Sequence, residues 1–311
     1  MTQVSAHPGS ELRARLVVAL HRRSLRLHRS GGRMVAMGVL EQAARFADAH
    51  GRTVASGGST WRYYRLGTGP VLVWLTGGLR RAALGFAPLE DLSSDHTVIT
   101  LDYPPMRRVD EFVDALDAIL AAEGVERCAV VGQSYGGLLA QAYVAARPEV
   151  VEQLVLSSSG PADHGRGWLP VEYLFIGLVQ VLPVRWARRA LLRKMLGLVS
   201  APEADLAAWQ DAIRRTVNDF GRSDIVSHFA VPADVMRRRL VAPAAFRAWT
   251  GRAAMLVARN DPTQSPKDQA RLEALLGRPV HRVDLGDRGH TAALADPRGY
   301  AALLRQALAR T

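Results

Sequence analysis

Val130-Val131-Gly132-Gln133-Ser134-Tyr135-Gly136-Gly137 joins an apolar run of strand character, Cys128 to Val131, to an apolar run of helix character, Leu138 to Ala146. A chain that turns this sharply from strand into helix forces the residue at its tip into strained backbone geometry, and side chains on either flank would collide with the two elements. Glycine at 132 and 136 removes those collisions. The hydroxyl of Ser134 is thereby lifted out of the sheet at a helix N-terminus, where the amide of Tyr135 is free to stabilise an anion. Alone, Gly-x-Ser-x-Gly also describes an ordinary turn. The flanking strand and helix favour a nucleophile, and its partners have to be sought downstream.

Working outward, apolar runs at Val71 to Leu75, Thr97 to Leu101 and Val151 to Leu156 read as buried strands, and Val109 to Ala122 reads as a helix. Trp61 to Leu66 alternates bulky and charged residues as a strand does, ahead of the turn Gly67-Thr68-Gly69-Pro70. The pattern resumes after residue 250 with a strand at Ala253 to Ala258, a helix at Pro266 to Leu276, a strand at Val280 to Leu285 and a closing helix at Arg298 to Ala309. Strands alternating with helices predict a mostly parallel sheet covered on both faces, with ligands at the carboxyl ends of the strands. Residues 161–250 break the alternation with helical pieces at Trp168 to Leu182, Pro183 to Val199, Pro202 to Thr216 and Ala233 to Trp249. They read as a helical cap or lid inserted in a core of residues 60–160 and 251–311. Two readings of the apolar stretch Trp168 to Val184 stand side by side, the lining of a substrate pocket and a helix buried in the insertion's own small core.

The chain carries 311 residues, a net charge of +11 and 48% hydrophobic residues, enough for one core with an insertion. Lysine occurs only at 194 and 267, and the longest basic run is Arg237 to Arg239. With no recognisable nucleic-acid module, the charge reads as an arginine bias spread along the chain rather than a nucleic-acid surface. Arg185, Arg188, Arg189, Arg193 and Lys194 read as a solvated helix face. Residues 1–59 form a basic extension with helical patterning at Glu11 to Arg29 and Val35 to His50. Its apolar core, Leu16 to Leu20, is too short for a secretory signal. The single cysteine, Cys128, excludes an internal disulfide and fits a reducing compartment, so a cytoplasmic protein is expected. An organellar transit peptide, and a basic helix in peripheral contact with an anionic membrane, remain open readings of the arginine-rich N-terminus.

A serine hydroxyl needs a base within hydrogen-bond reach, and that base needs a third group to hold its tautomer. Asp261 follows one late strand in Arg259-Asn260-Asp261-Pro262, and His290 follows the next in a glycine-rich loop, Gly286-Asp287-Arg288-Gly289-His290. Ser134, Asp261 and His290 thus come in the order serine, acid, histidine. Asp163 and Asp287 stay open as alternative acids.

This arrangement resembles the α/β-hydrolase family over roughly residues 60 to 310. Gly132 to Gly137 looks like that family's nucleophile elbow, Asn260-Asp261-Pro262 like its acid loop and Gly289-His290 like its histidine loop. The resemblance implies an eight-strand-type fold, no cofactor, no metal, and hydrolysis through a covalent intermediate on Ser134. It also implies an oxyanion hole formed by the backbone N–H groups of Tyr135 and of Gly78 in Thr76-Gly77-Gly78. Two departures stand out. Thr76-Gly77 replaces a frequent His-Gly, and Asp102-Tyr103-Pro104-Pro105 keeps only the first half of a frequent Asp-x-Pro-Gly-x-Gly. The expected substrate is a small molecule with an apolar portion, cleaved at an ester, thioester or related acyl bond. Carbon–carbon bond hydrolysis, lyase chemistry, aminopeptidase activity and a non-catalytic binding or sensing role are the alternatives. A serine at the elbow argues against dehalogenase or epoxide-hydrolase chemistry, for which the resemblance implies an aspartate nucleophile.

Overall fold

The computed structural model describes residues 38–163 and 166–309. Helix α1 (Val39–His50) leads into β1 (Gly51–Ser56), β2 (Ser59–Leu66) and β3 (Val71–Leu75). Then come α2 (Phe86–Leu92), β4 (Thr97–Leu101), α3 (Val109–Ala122), β5 (Cys128–Gln133), α4 (Tyr135–Ala146) and β6 (Val151–Ser157). Four helices are inserted before the next strand: α5 (Leu169–Val181), α6 (Val184–Leu198), α7 (Glu203–Asn218) and α8 (Arg222–Arg238). The chain closes with β7 (Arg252–Val257), α9 (Asp268–Leu276), β8 (Val280–Asp284), the short α10 (Ala292–Ala295) and α11 (Pro297–Ala309).

All eight strands form one sheet in the order β1-β2-β4-β3-β5-β6-β7-β8. The β1/β2 and β2/β4 pairs are antiparallel and the rest are parallel. Because successive strand residues point to opposite faces, the apolar runs feed two cores at once. Val73, Leu75, Val130 and Leu154 pack with α3, α4 and α9 on one side. Leu72, Trp74, Val131 and Val155 pack with α1, α2 and α11 on the other. The continuous apolar runs are therefore the signature of strands covered on both faces.

Three differences from the sequence reading have physical causes. The sheet begins at Gly51, before the boundary at 60 read for the core, because Gly51–Ser56 folds back on β2 through Gly57 and Gly58, both at positive φ. This edge strand is largely exposed and carries little apolar signal. The last inserted helix runs over 222–238, through Pro232, rather than over 233–249. Its registry is set by buried polar anchors: Ser227 Oγ accepts from the Met106 amide at 3.0 Å, and Asp234 accepts from the Val109 amide at 3.2 Å. The third difference concerns Trp168 to Val184, most of whose large apolar side chains are exposed, while Val179, with Ile176 and Val184 beside it, joins the insertion's own core. That core is built from Val179, Leu191, Ile213, Val217, Phe220 and Ile225.

The helix read at Glu11 to Arg29, and with it the membrane and targeting readings, lies outside the described residues. Of the helix read at 35–50, the part from Val39 is helical. No helix among the described residues is long and apolar enough to cross a membrane.

Candidate active site

Ser134 sits between β5 and α4 with φ 52° and ψ −117°, a strained backbone for a residue with a side chain. The neighbouring elements leave no room for flanking side chains. A Cβ on Gly136 would strike the carbonyl oxygens of Leu75 and Thr76, and one on Gly132 would meet the backbone of Gly136 and Gly137. The amide of Ser134 donates to the Ser157 carbonyl at 3.0 Å, fixing the tip of the turn to the end of β6.

Three side chains from separate loops meet here. His290 Nε2 lies 2.9 Å from Ser134 Oγ, and His290 Nδ1 lies 3.0 and 3.1 Å from the two Asp261 carboxylate oxygens. Both His290 and Asp261 are buried. Burial alone would push the Asp261 carboxyl up, but its hydrogen bonds with His290 and Thr263 outweigh that and hold it below the ordinary carboxylate value. Thr263 was not singled out by the sequence. Its amide and its hydroxyl both donate to Asp261 Oδ1, at 2.9 and 2.8 Å, and its Oγ1 lies 3.0 Å from His290 Nδ1. This is the local side-chain turn that Asp favours two residues ahead of a backbone N–H. The alternative acids lie elsewhere. Asp163 pairs with Arg271 at 3.0 Å, and Asp287 is exposed beside Arg259.

Tyr135 follows the serine directly, and Gly78 lies in the loop after β3, the strand that pairs with β5. Tyr135 opens α4, so its amide has no acceptor within the helix. Gly78 lies in the turn closed by Arg80 N–H donating to Gly77 O at 3.0 Å. The incomplete Asp102-Tyr103-Pro104-Pro105 motif braces that turn. Asp102 accepts from the Ala82 amide at 2.7 Å and from Tyr64 at 2.9 Å, the Tyr103 hydroxyl donates to Thr76 O at 3.0 Å, and Pro104 O accepts from the Arg80 guanidinium. Arg80 is itself fully buried, at φ 60°, and donates on to Asp224 O of α8 at 2.8 Å. No sequence signal marked it.

The inserted helices reach the same spot. The His228 ring of α8 stacks on the Tyr135 ring at 5.3 Å between centroids, and a Cβ on Gly78 would lie 2.9 Å from His228 Cε1. Burial drives the His228 imidazole down to about 3, with the nearby Lys194 and Arg80 adding to the effect, so it is neutral. Burial pushes the Tyr135 phenol up to about 12 and raises the Glu172 carboxyl as well. His228 Nδ1, Tyr135 Oη and Glu172 Oε2 are buried with no hydrogen-bond partner among the described residues. The segment after α6 is latched to the histidine loop: the Ser200 amide donates to Thr291 Oγ1 at 2.6 Å, and that hydroxyl donates to Ser200 O at 2.8 Å. Cys128 lies buried inside β5 with its thiol pushed up to about 12, a packing residue rather than a nucleophile.

A mostly parallel eight-stranded sheet, with a serine on a strained strand-to-helix turn at its carboxyl edge, defines an α/β hydrolase. The model of the alpha/beta hydrolase family matches residues 49–303, and the chain belongs to that family. Among solved structures it is similar to a hydrolase from Pseudomonas aeruginosa PA01, at 17% identity with a TM-score of 0.67 over 84% of this chain and 98% of that one. An esterase from Rhodococcus sp. ECU1013 aligns at 21% identity and a TM-score of 0.62, covering 83% of this chain and 98% of its own. The enol-lactonase from Burkholderia xenovorans LB400 aligns at 15% identity and a TM-score of 0.63, covering 83% and 100%. At these identities the likeness is one of fold. No curated protein matches the chain.

Proposed function

We propose that the protein is a serine hydrolase that cleaves an ester, thioester or related acyl bond of a partly apolar small molecule. The observation that carries this reading is the contact of His290 with Ser134 on one ring nitrogen and with Asp261 on the other. In the proposed reaction, His290 Nε2 takes the Ser134 proton as Oγ bonds to the acyl carbon. Asp261 holds the proton on Nδ1 and steadies the imidazolium. The backbone N–H groups of Tyr135 and Gly78 receive the oxyanion. His290 then gives its proton to the leaving oxygen or sulfur as the C–O or C–S bond breaks. A water deprotonated by His290 releases the acid from the acyl-enzyme. Helices α5 to α8 act as the cap over this site, as supported by the His228 contact with the Gly78 turn and by the latch between Ser200 and Thr291. The neutral His228 and the Tyr135 phenol supply polar contacts beside the reacting carbonyl. They suit an uncharged polar group on the substrate better than a second carboxylate, which would have to lie near Glu172.

Turnover of p-nitrophenyl and thioester substrates of graded chain length, run beside Ser134→Ala, tests the reading. Ser134→Ala is expected to lower kcat by at least about 10³-fold and to abolish fluorophosphonate labelling. Labelling that persists at full rate in the variant removes Ser134 from the role.

A further inference from the structure

Helix α5 is inside out. Val171, Leu174, Phe175, Leu178 and Val181 recur at the three- and four-residue spacing of one helical face; Leu174 is 60% and Val181 78% exposed, while Phe175 is half-exposed and stacks on Phe229 of α8. The opposite face, Glu172, Ile176 and Val179, is the more buried one and carries the only charged residue of the helix. A helix on a protein surface in water shows the reverse. Trp168 before the helix and Trp186, in the first turn of α6, are each more than half exposed as well. Aromatic side chains offer roughly 150–250 Å² apiece. Half-exposed Trp168, Tyr173, Phe175 and Trp186 therefore reach by themselves the few hundred Å² at which an apolar patch marks an interaction site.

The charges that follow the patch in the chain point to what covers it. Arg185, Arg189 and Arg193 recur every four residues along α6, all exposed and with no ion-pair partner among the described residues. Across α5 and α6, four arginines and one lysine stand against the single carboxylate of Glu172, which is half-buried. A second copy of the chain packed about a two-fold axis would set these cations against themselves. The chain's own N-terminal segment, with arginines at 13, 15, 22, 23, 26, 29 and 33 against Glu11, carries charge of the same sign and offers no complement to these cations.

We propose that this face of α5 and α6 docks on an anionic lipid bilayer. The aliphatic stripe and the aromatic rings enter the boundary between headgroups and acyl chains, while the arginines meet lipid phosphates. Phe175 of α5 stacks on Phe229 of α8, and the neighbouring His228 stacks on Tyr135 beside Ser134, so α5 packs on the helix that reaches the serine turn. An apolar substrate then has a short path from bilayer to Ser134. That consequence rests on the proposed hydrolase reading; the docking does not.

Flotation of the full-length protein with phosphatidylcholine vesicles, and with the same vesicles containing phosphatidylglycerol, tests the docking without any assay of activity. Binding is expected on the anionic vesicles, weaker on the neutral ones and weakened by salt. The double substitution Leu174→Asp with Val181→Asp should weaken it by at least about tenfold with an unchanged melting temperature, since both side chains already face solvent. Arg185→Glu with Arg189→Glu should remove the preference for anionic lipid. Three results overturn the proposal. One is no binding to either vesicle. Another is binding that survives the α5 substitutions but is lost in Arg22→Glu with Arg23→Glu and Arg26→Glu. The third is a concentration-dependent dimer in sedimentation that Leu174→Asp with Val181→Asp dissolves.

Discussion

The Asp261 carboxylate has more to do than hold an imidazole, and Thr263 is what allows it. With the Thr263 amide and hydroxyl both on Oδ1, the carboxylate stays ionised and fixed in orientation although burial alone would favour its neutral form. Thr263→Val keeps the shape and the amide bond but loses the hydroxyl. Under the proposed mechanism it is expected to lower kcat about three- to tenfold with KM little changed, while Thr263→Ser restores most of the rate. Steady-state kinetics of the two variants check this, and a Thr263→Val enzyme with unaltered kcat would exclude the hydroxyl from the network. Ser134, Asp261 and His290 were legible in the sequence because each stands just past a strand in a glycine- or proline-marked loop. Thr263 was within reach of the same reasoning, since Asp followed two residues later by Thr is a turn signal. Arg80 and His228 carried no such mark. Their neighbours come from Asp224, Pro104 and Gly78, far away in the chain.

Among elements, the strand-turn-helix from β5 to α4 was the most fully encoded, and its glycines give a sharp contrast in cost. Gly136→Val would drive a side chain into the carbonyls of Leu75 and Thr76, backbone atoms that cannot step aside without moving β3. The expected loss is more than about 3 kcal/mol, measured as a drop in the denaturant midpoint or as failure to recover folded protein. In α5, by contrast, a Cβ on Gly177 meets nothing within 4 Å. Gly177→Ala should therefore stabilise the protein by about 0.5–1 kcal/mol through helix propensity alone. Equal effects of the two substitutions in a urea titration would contradict the packing described. The elements that escaped the sequence reading were those whose partners override local pattern. The exposed β1 has too few apolar residues to show a strand's alternation. Helix α8 continues through Pro232 because buried Ser227 and Asp234 tie it to the loop before α3 and to that helix's first amide. The outward apolar face of α5 is not legible in Trp168 to Val184, because a hydrophobic run predicts burial without naming what does the burying.

For the whole molecule, a neutral imidazole between the inserted helices and the sheet makes stability depend on pH. In the unfolded chain His228 protonates near its ordinary value of 6.5, whereas in the fold it is held neutral down to about 3. Between these values the unfolded state takes up a proton that the folded state refuses, so stability falls as pH falls from 6.5 toward 3, by up to about 1.4 kcal/mol per pH unit. Asp261, held below its ordinary 3.8, adds its own loss only at the acid end of that window. Denaturant titrations across the range should show a shallower slope for His228→Phe than for the parent, and parallel slopes would refute the assignment. The sequence by itself determined the sheet from β2 to β8, the covering of both its faces, and the loops that carry Ser134, Asp261 and His290. Those follow from periodicity and from glycine and proline, which act within a few residues of the chain. Only the tertiary structure decided which aspartate meets His290, that a buried Arg80 and a neutral His228 enclose the Gly78 turn, and that α5 turns its apolar side to solvent. These are matters of which distant surfaces touch, and desolvation and packing act through space, where spacing along the chain carries no information.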